Sequence, residues 1–276
     1  MTRLEQKIFP AFGSTHIADV TPVVVLKAIR VIEDRGAIDV AKRVRQTVSQ
    51  ACRYAITTGK ITTNPVGEIA GALKAAPKVK NFASLKESEL PEFIKKLGSY
   101  DGELQTRLAL DLVMRTAARS NEIRFGKWAE VDLDNAIWRI SGDRMKAGRD
   151  HIVLLSTQSV RLMRQLEQIA GDSEWIVPGG KNKPISENTL LFAMYRLGYH
   201  SRATVHGFRG TFSTIANESG LWSADAIELA LAYVPGNAVR RAYNHTQRLD
   251  ERRRLAQWWS DYLDTLNPAN LADLLS

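Results

Sequence analysis

The sequence predicts a mainly α-helical fold with a small antiparallel β-sheet, an α+β fold, divided into two domains. Apolar residues recur at steps of three and four over most of the chain, which is the spacing of amphipathic helices. Near the middle, two short segments instead alternate apolar and polar residues around glycine-containing turns, as the strands of a β-hairpin do. A charged piece that begins with a proline, residues 77–81, separates a basic first third from a nearly neutral remainder.

Two helices are predicted in the first domain. Thr21 and Pro22 supply an N-cap and a first-turn proline, and the apolar pattern that follows continues until Gly36. A second pattern runs over residues 40–55 and ends at Gly59. Basic side chains occupy its other faces and the piece that leads into the second domain. The candidates for contact with a polyanion are Lys42, Arg43, Arg45, Arg53, Lys78 and Lys80.

We place the first, helical domain at residues 1–80, the linker at about residues 74–83 and the second domain at residues 84–276. The second domain is expected to be helical except for one small sheet. Its predicted elements are helices at 87–97 and 104–116, paired strands at 136–140 and 151–155, a short third strand at 175–178, and helices with turns from 187 to the end, including a tail at 244–276.

The charge distribution favours a polyanionic partner for the first domain. The formal net charge of the 276 residues is +8, and residues 1–82 hold 13 Lys/Arg against 6 Asp/Glu, so they carry almost all of the excess. Basic surfaces also serve solubility, so charge alone leaves nucleic acid as one of two explanations. The lone Cys52 excludes a disulfide framework and a cysteine-based zinc site. No apolar run approaches the ~18 residues of a membrane span and no signal segment follows Met1, so we expect a cytoplasmic protein.

Three segments carry residues suited to breaking a phosphodiester bond without a metal. This chemistry needs a nucleophile, positive groups around the nonbridging oxygens and an acid for the leaving oxygen. Arg119 and Glu122 lie three residues apart at a helix start, and one helical turn aims His206 and Arg209 at the same point. The third segment contains two tyrosines ten residues apart. Taken singly, each also fits an ordinary structural role: a surface ion pair, a structural histidine and a core tyrosine.

Taken together, these segments resemble the tyrosine recombinase family, in particular its phage and genomic-island integrases. The first-arginine motif of the family is similar to Thr116–Glu122, its hairpin lysine to Lys146, its His-x-x-Arg motif to His206 and Arg209, and its nucleophile to Tyr243. Order and spacing agree, and the resemblance covers nearly the whole chain. The further N-terminal domain with which family members usually bind arm-type DNA sites has no counterpart in this sequence.

The resemblance implies a C-shaped clamp on double-stranded DNA, with a helical core-binding domain on one face, a catalytic domain on the other, and a tetramer in the synaptic complex. Tyr243 would attack the phosphorus, while Arg119 and Arg209 would hold the nonbridging oxygens. His206 would help to position the phosphate and manage the tyrosine proton, and Lys146 would protonate the leaving 5′ oxygen. The resemblance implies no metal and no other cofactor.

The sequence also gives expectations for Glu122, for Tyr233 and for the tail. Glu122 is interpreted as the structural partner that orients Arg119. At Tyr233 the family ordinarily has His, or Trp in some relatives, and that residue supports the scissile phosphate. The tyrosine leaves open a catalytically weakened, DNA-binding remnant, and a type IB topoisomerase-like strand transferase would share the chemistry. The tail, residues 244–276, is expected from the resemblance to dock on a neighbouring protomer.

Overall fold

The computed structural model describes residues 3–73, 83–145, 148–180, 182–233 and 248–266. The described chain is mainly helical with a small antiparallel sheet, so the predicted fold class is confirmed. It divides into two compact units, Met1–Asn81 and Phe82–Ser276. No described helix is both long enough and apolar enough to cross a membrane.

The first unit is built around two helices that share one apolar core. Its elements are α1 (Arg3–Lys7), α2 (Phe9–Phe12), a 3₁₀ turn (Ile17–Asp19), α3 (Pro22–Glu33), α4 (Ile38–Thr57), α5 (Pro65–Glu68) and a 3₁₀ turn (Ala70–Ala72). The Thr21 hydroxyl accepts a hydrogen bond from the Val24 amide at 3.4 Å and caps α3. Val25 and Ile29 of α3 pack in one cluster with Val44 and Val48 of α4. The basic side chains of α4 therefore take its other faces.

The second unit is larger, and it contains the sheet. Its helical elements are a 3₁₀ turn (Glu87–Glu89), α6 (Leu90–Gly98), α7 (Leu104–Thr116), α8 (Ser120–Arg124), 3₁₀ turns (Trp128–Glu130 and Gly142–Arg144), α9 (Thr157–Ala170), α10 (Thr189–Arg196), α11 (Gly207–Glu218), α12 (Ala224–Ala230) and α13 (Leu249–Thr265). Leu110, Leu112 and Met114 of α7 are buried in the core of this unit. Since α7 leads directly into the segment of Arg119, the core fixes where that segment begins.

The sheet consists of β1 (Val131–Asp132), β2 (Ile137–Ile140) and β3 (His151–Leu154), antiparallel and in that order. Ile140 faces His151 across β2 and β3, so the hairpin turns over residues 141–150.

The strand expected at residues 175–178 is wrong. Trp175 makes an isolated bridge with Lys127, and the next strand is β4 (Pro178–Gly179), which pairs with β5 (Lys183–Pro184). The run is apolar because Ile176 and Val177 are fully buried, not because it lies in a ladder.

The C-terminal helix α13 belongs to the core of its own unit. Leu255, Trp259 and Leu263 are buried, and the Trp259 indole donates a hydrogen bond to the Met114 carbonyl at 2.9 Å. This face of the helix is therefore covered by its own unit, because helical spacing identifies an apolar face but not the surface that covers it. Docking of the tail on a neighbouring protomer stays a prediction. Residues 267–276 of the tail lie outside the described residues.

Buried polar contacts also hold α13 in place. The Arg115 guanidinium on α7 pairs with Asp264 at 2.7 Å and with Asp111 at 2.9 Å. Ser156 and Ser260 share a hydrogen bond of 2.7 Å. An unpaired charge at the buried Arg115–Asp264 pair would be costly, so this pair fixes α13 on α7, with Asp111 orienting Arg115 from within α7. The Ser156–Ser260 bond ties α13 to the start of α9.

Candidate active site

Arg119 is fixed by Glu122 through both its backbone and its side chain. It precedes α8, and its amide donates to Glu122 Oε2 at 2.8 Å while its Nη1 donates to Oε1 at 2.6 Å. The Glu122 carboxylate is buried, whereas 28% of the Arg119 side chain is exposed. One carboxylate therefore orients the guanidinium and leaves its remaining N–H groups available to an anion.

The turn before Arg119 requires small residues. Ala117 has φ of 50°, in the left-handed region, and both Ala117 and Ala118 are buried. The Thr116 hydroxyl donates to the Leu112 carbonyl at 2.6 Å and accepts from the Ala118 amide at 3.3 Å. The turn ends α7 and begins α8 within three residues, and it places Arg119 at a cleft of about 600 Å³ that Lys127 and Arg144 also line.

Arg209 is a buried arginine that joins three segments of the second unit. It lies in the first turn of α11 and is 2% exposed. Its Nη1 donates to the Ala117 carbonyl at 2.5 Å, and its Nη2 donates to the Leu231 carbonyl. Burial, followed by the nearby charge of Arg119, lowers the pKa of Arg209 from its ordinary value. An arginine titrates so far above neutrality that it remains a cation here.

His206 stands one turn before Arg209, at the start of α11. Gly207 lets the start of α11 lie against the backbone of residue 83, because a β-carbon at Gly207 would fall 2.2 Å from the Ala83 carbonyl oxygen. The imidazole is exposed. Partial burial and the charges of Arg209 and Arg119 lower the pKa of His206 from 6.5, and Glu122 opposes this fall. His206 is therefore a neutral imidazole at pH 7, able to accept a proton.

Tyr233 lies over the guanidinium of Arg209. Its amide donates to the Glu228 carbonyl at 2.9 Å across Ala232, which has φ of 51°. The ring centroid is 5.4 Å from the Arg209 guanidinium carbon, within cation–π range. Since 47% of Tyr233 is exposed, it borders the site and is not a core residue.

His151, on β3, is a buried histidine that the sequence analysis did not single out. Its pKa is lowered to about 4 by burial and the charge of Arg252, with smaller contributions from Arg209 and Arg119 against Glu122. The Arg252 guanidinium, from α13, donates to the Ile152 carbonyl beside it. Its low pKa keeps the imidazole neutral at pH 7, so it adds no charge to the site.

The structure thus brings together Arg119, Glu122, His206, Arg209 and Tyr233.

Four other candidates, Lys146, Tyr243, Lys78 and Lys80, lie outside the described residues.

Within the described ranges, no group of three or more His, Cys, Asp or Glu side chains could hold a metal ion.

The described members of the basic set all lie on α4. Lys42, Arg43 and Arg53 are exposed, and Arg45 is half-buried. From Val40 to Gly67 the sequence contains no acidic residue. This stretch of the first unit therefore carries basic side chains and no acidic one.

Comparison with known proteins gives matches over both units. Residues 1–72 match the model of the phage integrase central domain, and residues 83–249 match that of the phage integrase family. The integrase of Enterobacteria phage P4 is 41% identical over 278 residues, which cover 95% of this chain and 63% of that protein. Prophage integrase IntS of Escherichia coli (strain K12) is 40% identical over 263 residues, 94% of this chain and 68% of its own length. The chain thus spans slightly under two thirds of the phage P4 integrase.

Solved structures share the fold. A lambda integrase (75–356) dimer bound to a COC′ core site superimposes with a TM-score of 0.65 at 20% identity, over 83% of this chain and 85% of that one. The Tn1549 transposon integrase in complex with a circular intermediate DNA gives a TM-score of 0.61 at 13% identity, over 86% and 84%. At these identities the likeness shows a shared fold and nothing further.

Proposed function

The chain belongs to the phage integrase family, and on this premise we propose that it is a tyrosine site-specific recombinase, which cleaves and rejoins duplex DNA to integrate or excise a mobile element. The reaction proceeds through a covalent 3′-phosphotyrosine intermediate. The observation that carries the proposal is the convergence of Arg119 and Arg209 beside a neutral His206. Residues 1–80 act as the DNA-binding domain and residues 84–276 as the catalytic domain.

Each side chain has a defined part in the cleavage step. The Tyr243 oxygen forms a bond to phosphorus as the bond from phosphorus to the 5′ oxygen breaks. Lys146 gives its proton to that leaving oxygen, and His206 accepts the tyrosine proton. Arg119 and Arg209 bind the nonbridging oxygens, where negative charge accumulates in the transition state.

The environment of Arg209 supports this assignment. It is bound by neutral carbonyl oxygens, so its positive charge is available to a phosphate. Burial strengthens this attraction, because water screens the two charges less than it would at the surface. Arg119 is oriented by Glu122 and is partly exposed, which suits a group that meets DNA as it arrives.

The phosphotyrosine keeps the energy of the broken bond, so the reverse step rejoins DNA without ATP. Two solved relatives support the choice of partner: a lambda integrase dimer bound to a core site and a lambda integrase tetramer bound to a Holliday junction. We extend both features to this chain, with double-stranded attachment-site DNA as partner, self-association into a tetramer during synapsis, and the cytoplasm as the place of action.

A nicked suicide duplex tests the proposal. The nick lets a short 5′-hydroxyl strand diffuse away after cleavage, so an active recombinase accumulates as an adduct stable to SDS. A DNA-binding remnant would bind the duplex and form no adduct. A topoisomerase-like strand transferase would form the adduct and relax supercoiled DNA lacking any attachment site, whereas a recombinase needs paired sites.

We expect the double variant Lys42→Gln/Arg53→Gln to weaken DNA binding and to reduce its salt dependence. These residues lie eleven positions apart on one face of α4, about 16 Å along the helix axis. If each meets a phosphate, the slope of log K against log salt becomes shallower by about 0.9 per contact, or about 1.8 for both. The slope is measured by fluorescence anisotropy with the full chain, between about 50 and 200 mM salt.

The control is Arg164→Gln, an exposed arginine of α9 with the same change of charge. Its slope should equal that of the unaltered chain. A slope unchanged in the α4 double variant would show that α4 does not meet the DNA backbone.

Tyr233→Phe separates a phosphate contact from ring packing. The half-exposed ring beside Arg209 places its hydroxyl at the border of the site. We expect the loss of this hydroxyl to slow cleavage about tenfold, because a hydrogen bond to a charged group contributes ~1.5–3 kcal/mol. Tyr233→His, which restores a donor, should retain or raise the rate, and Tyr195→Phe on α10 is the matched control. If Tyr233→Phe has full activity and unchanged DNA binding, the role of Tyr233 is to pack its ring against Arg209 and not to contact the phosphate.

A further inference from the structure

Among the residues that the structure describes, three cations line the cleft beside Arg119, and their partners differ. The Arg119 guanidinium is paired with a buried carboxylate, and Arg144 Nη2 donates to both carboxylate oxygens of Glu130, at 2.6 and 2.5 Å. The third cation, Lys127, contacts Glu174 at 2.8 Å, and these two side chains are 39% and 50% exposed. An ion pair that is exposed on both sides contributes little, because water screens its charges. Lys127 is therefore the cation of this cleft whose partner a ligand displaces most easily.

The backbone of Lys127 is held on both sides. The amide that follows it donates to the Glu174 carbonyl at 3.0 Å, and the carbonyl that precedes it accepts from the Ile176 amide at 2.9 Å. Between these two bonds, Lys127 and Trp175 form a β-bridge. The Lys127 amide donates to Glu130 Oε2 at 3.1 Å. The origin of the Lys127 side chain is thus fixed at the wall of the cleft that Trp175 forms.

The Lys127 ammonium lies over the ring of Trp175. Its Nζ is 4.8 Å from the ring centroid, within cation–π range. The indole N–H of Trp175 donates to the Asn182 carbonyl at 3.2 Å, and the Phe125 ring meets the indole edge-on with centroids 6.5 Å apart. Since neighbours on two sides hold the indole, its contact with the ammonium does not require Glu174.

The position of the cleft identifies the class of ligand. Arg119 stands at its border and is proposed to hold a nonbridging oxygen of the scissile phosphate, so DNA bound there lies against the cleft. Each strand of a duplex carries one phosphate per ~3.4 Å of helix axis, so further phosphates follow directly on either side. The volume of about 600 Å³ is that of a pocket for a small molecule. An ammonium, with three donors and a compact charge, suits a phosphate in this space.

We propose that Lys127 binds a backbone phosphate within three nucleotides of the scissile phosphate, and that Glu174 holds the same ammonium while no DNA is bound. This inference rests on the proposed function. When DNA binds, Lys127 exchanges a carboxylate oxygen for a phosphate oxygen. Glu174 is then left in water, to which half of its side chain is already exposed. The pairs of the two arginines remain intact.

Duplexes in which single phosphates are made neutral test this contact. The three phosphates on either side of the scissile one are replaced, one at a time, by methylphosphonate, which removes the charge and keeps the backbone. The scissile phosphate is the one at which the unaltered chain forms its adduct on the nicked suicide duplex. Fluorescence anisotropy with the full chain then measures affinity for unnicked duplexes of the same sequence.

We expect Lys127→Gln to weaken binding about threefold to tenfold and to make the slope of log K against log salt shallower by about 0.9, as the loss of one phosphate contact does. At one of the neutral positions the unaltered chain should lose affinity to a similar extent. Lys127→Gln should lose nothing further there, because both changes remove the same contact. Arg139→Gln, an exposed arginine on β2, should respond to each neutral phosphate as the unaltered chain does.

Glu174→Gln should have the opposite effect and tighten binding about twofold to fivefold, since an exposed carboxylate no longer competes for the ammonium. A gain in affinity does not arise from a folding defect, so this variant decides the question even if Lys127→Gln is unstable.

The inference would be overturned if the loss from Lys127→Gln added to the loss at every neutral phosphate. It would also be overturned if Glu174→Gln bound no more tightly than the unaltered chain. If the unaltered chain binds DNA and forms no adduct, the proposed function fails. A scan over every phosphate of the duplex then still shows whether Lys127 contacts one of them.

Discussion

Tyr243→Phe is expected to bind duplex DNA as tightly as the unaltered chain and to form no SDS-resistant adduct. The substitution removes one oxygen, the one that bonds to phosphorus, and leaves the ring and the charges that attract the phosphate. No other group is expected to replace it, so the loss of adduct should be complete within the sensitivity of the gel. This is the largest effect that the proposed mechanism predicts for a single substitution.

The measurement uses the nicked suicide duplex with radiolabel on the strand that becomes attached. DNA binding is measured in parallel by anisotropy, so that a failure to bind is distinguished from a failure to react. Tyr233→Phe serves as the control, because it removes the hydroxyl of a tyrosine beside Arg209 and should still form the adduct. Adduct at the normal level in Tyr243→Phe would mean that another residue is the nucleophile.

Arg209→Ala is expected to reduce the rate of single-turnover cleavage by at least ~10³-fold, at the upper end of the ~10²–10³-fold typical of losing one charge-stabilising donor. The buried position explains the size of the effect, because a cation there acts on the phosphate with little screening. Arg119→Ala should cost ~10²-fold or more, since this guanidinium is partly exposed and shares its charge with Glu122.

Both arginine variants are compared with Arg139→Gln at saturating DNA, so that differences in affinity do not enter the rate. Arg209→Lys is informative because it keeps the charge but cannot donate to the Ala117 and Leu231 carbonyls and to a phosphate in the same geometry. It should remain well below the unaltered rate. Near-normal cleavage by Arg209→Ala would show that Arg209 does not stabilise the transition state.

Local patterns account for much of the fold. Thr21 and Pro22 mark the start of α3 because capping and a fixed φ are local effects. The alternating segments indicate β2 and β3 because side chains of a strand point to opposite faces. The surface that covers a face is a tertiary property. For this reason the apolar spacing of α13 did not reveal that α13 packs on its own unit, and the buried run at Ile176 and Val177 was mistaken for a strand.

The candidate site shows the same division. The spacing of Arg119 and Glu122 suggests their ion pair, since residues three apart on a helix are neighbours. The contact of Arg144 with Glu130 joins residues fourteen positions apart across a hairpin, and the charges that act on His151 come from α8, α11 and α13. Such contacts depend on how helices and strands pack in the tertiary structure, so the spacing of residues in the sequence does not predict them.

The two carbonyl groups that accept hydrogen bonds from Arg209 also contribute to the stability of the second unit. Ala117 is the C-cap residue that follows α7, and Leu231 is the C-cap residue that follows α12. The last carbonyls of a helix lack partners within it, and the helix macrodipole places partial negative charge there. The Arg209 guanidinium therefore caps the C-termini of two helices at once. The cation proposed to stabilise the transition state is held in place by the folding of α7 and α12, before any DNA binds.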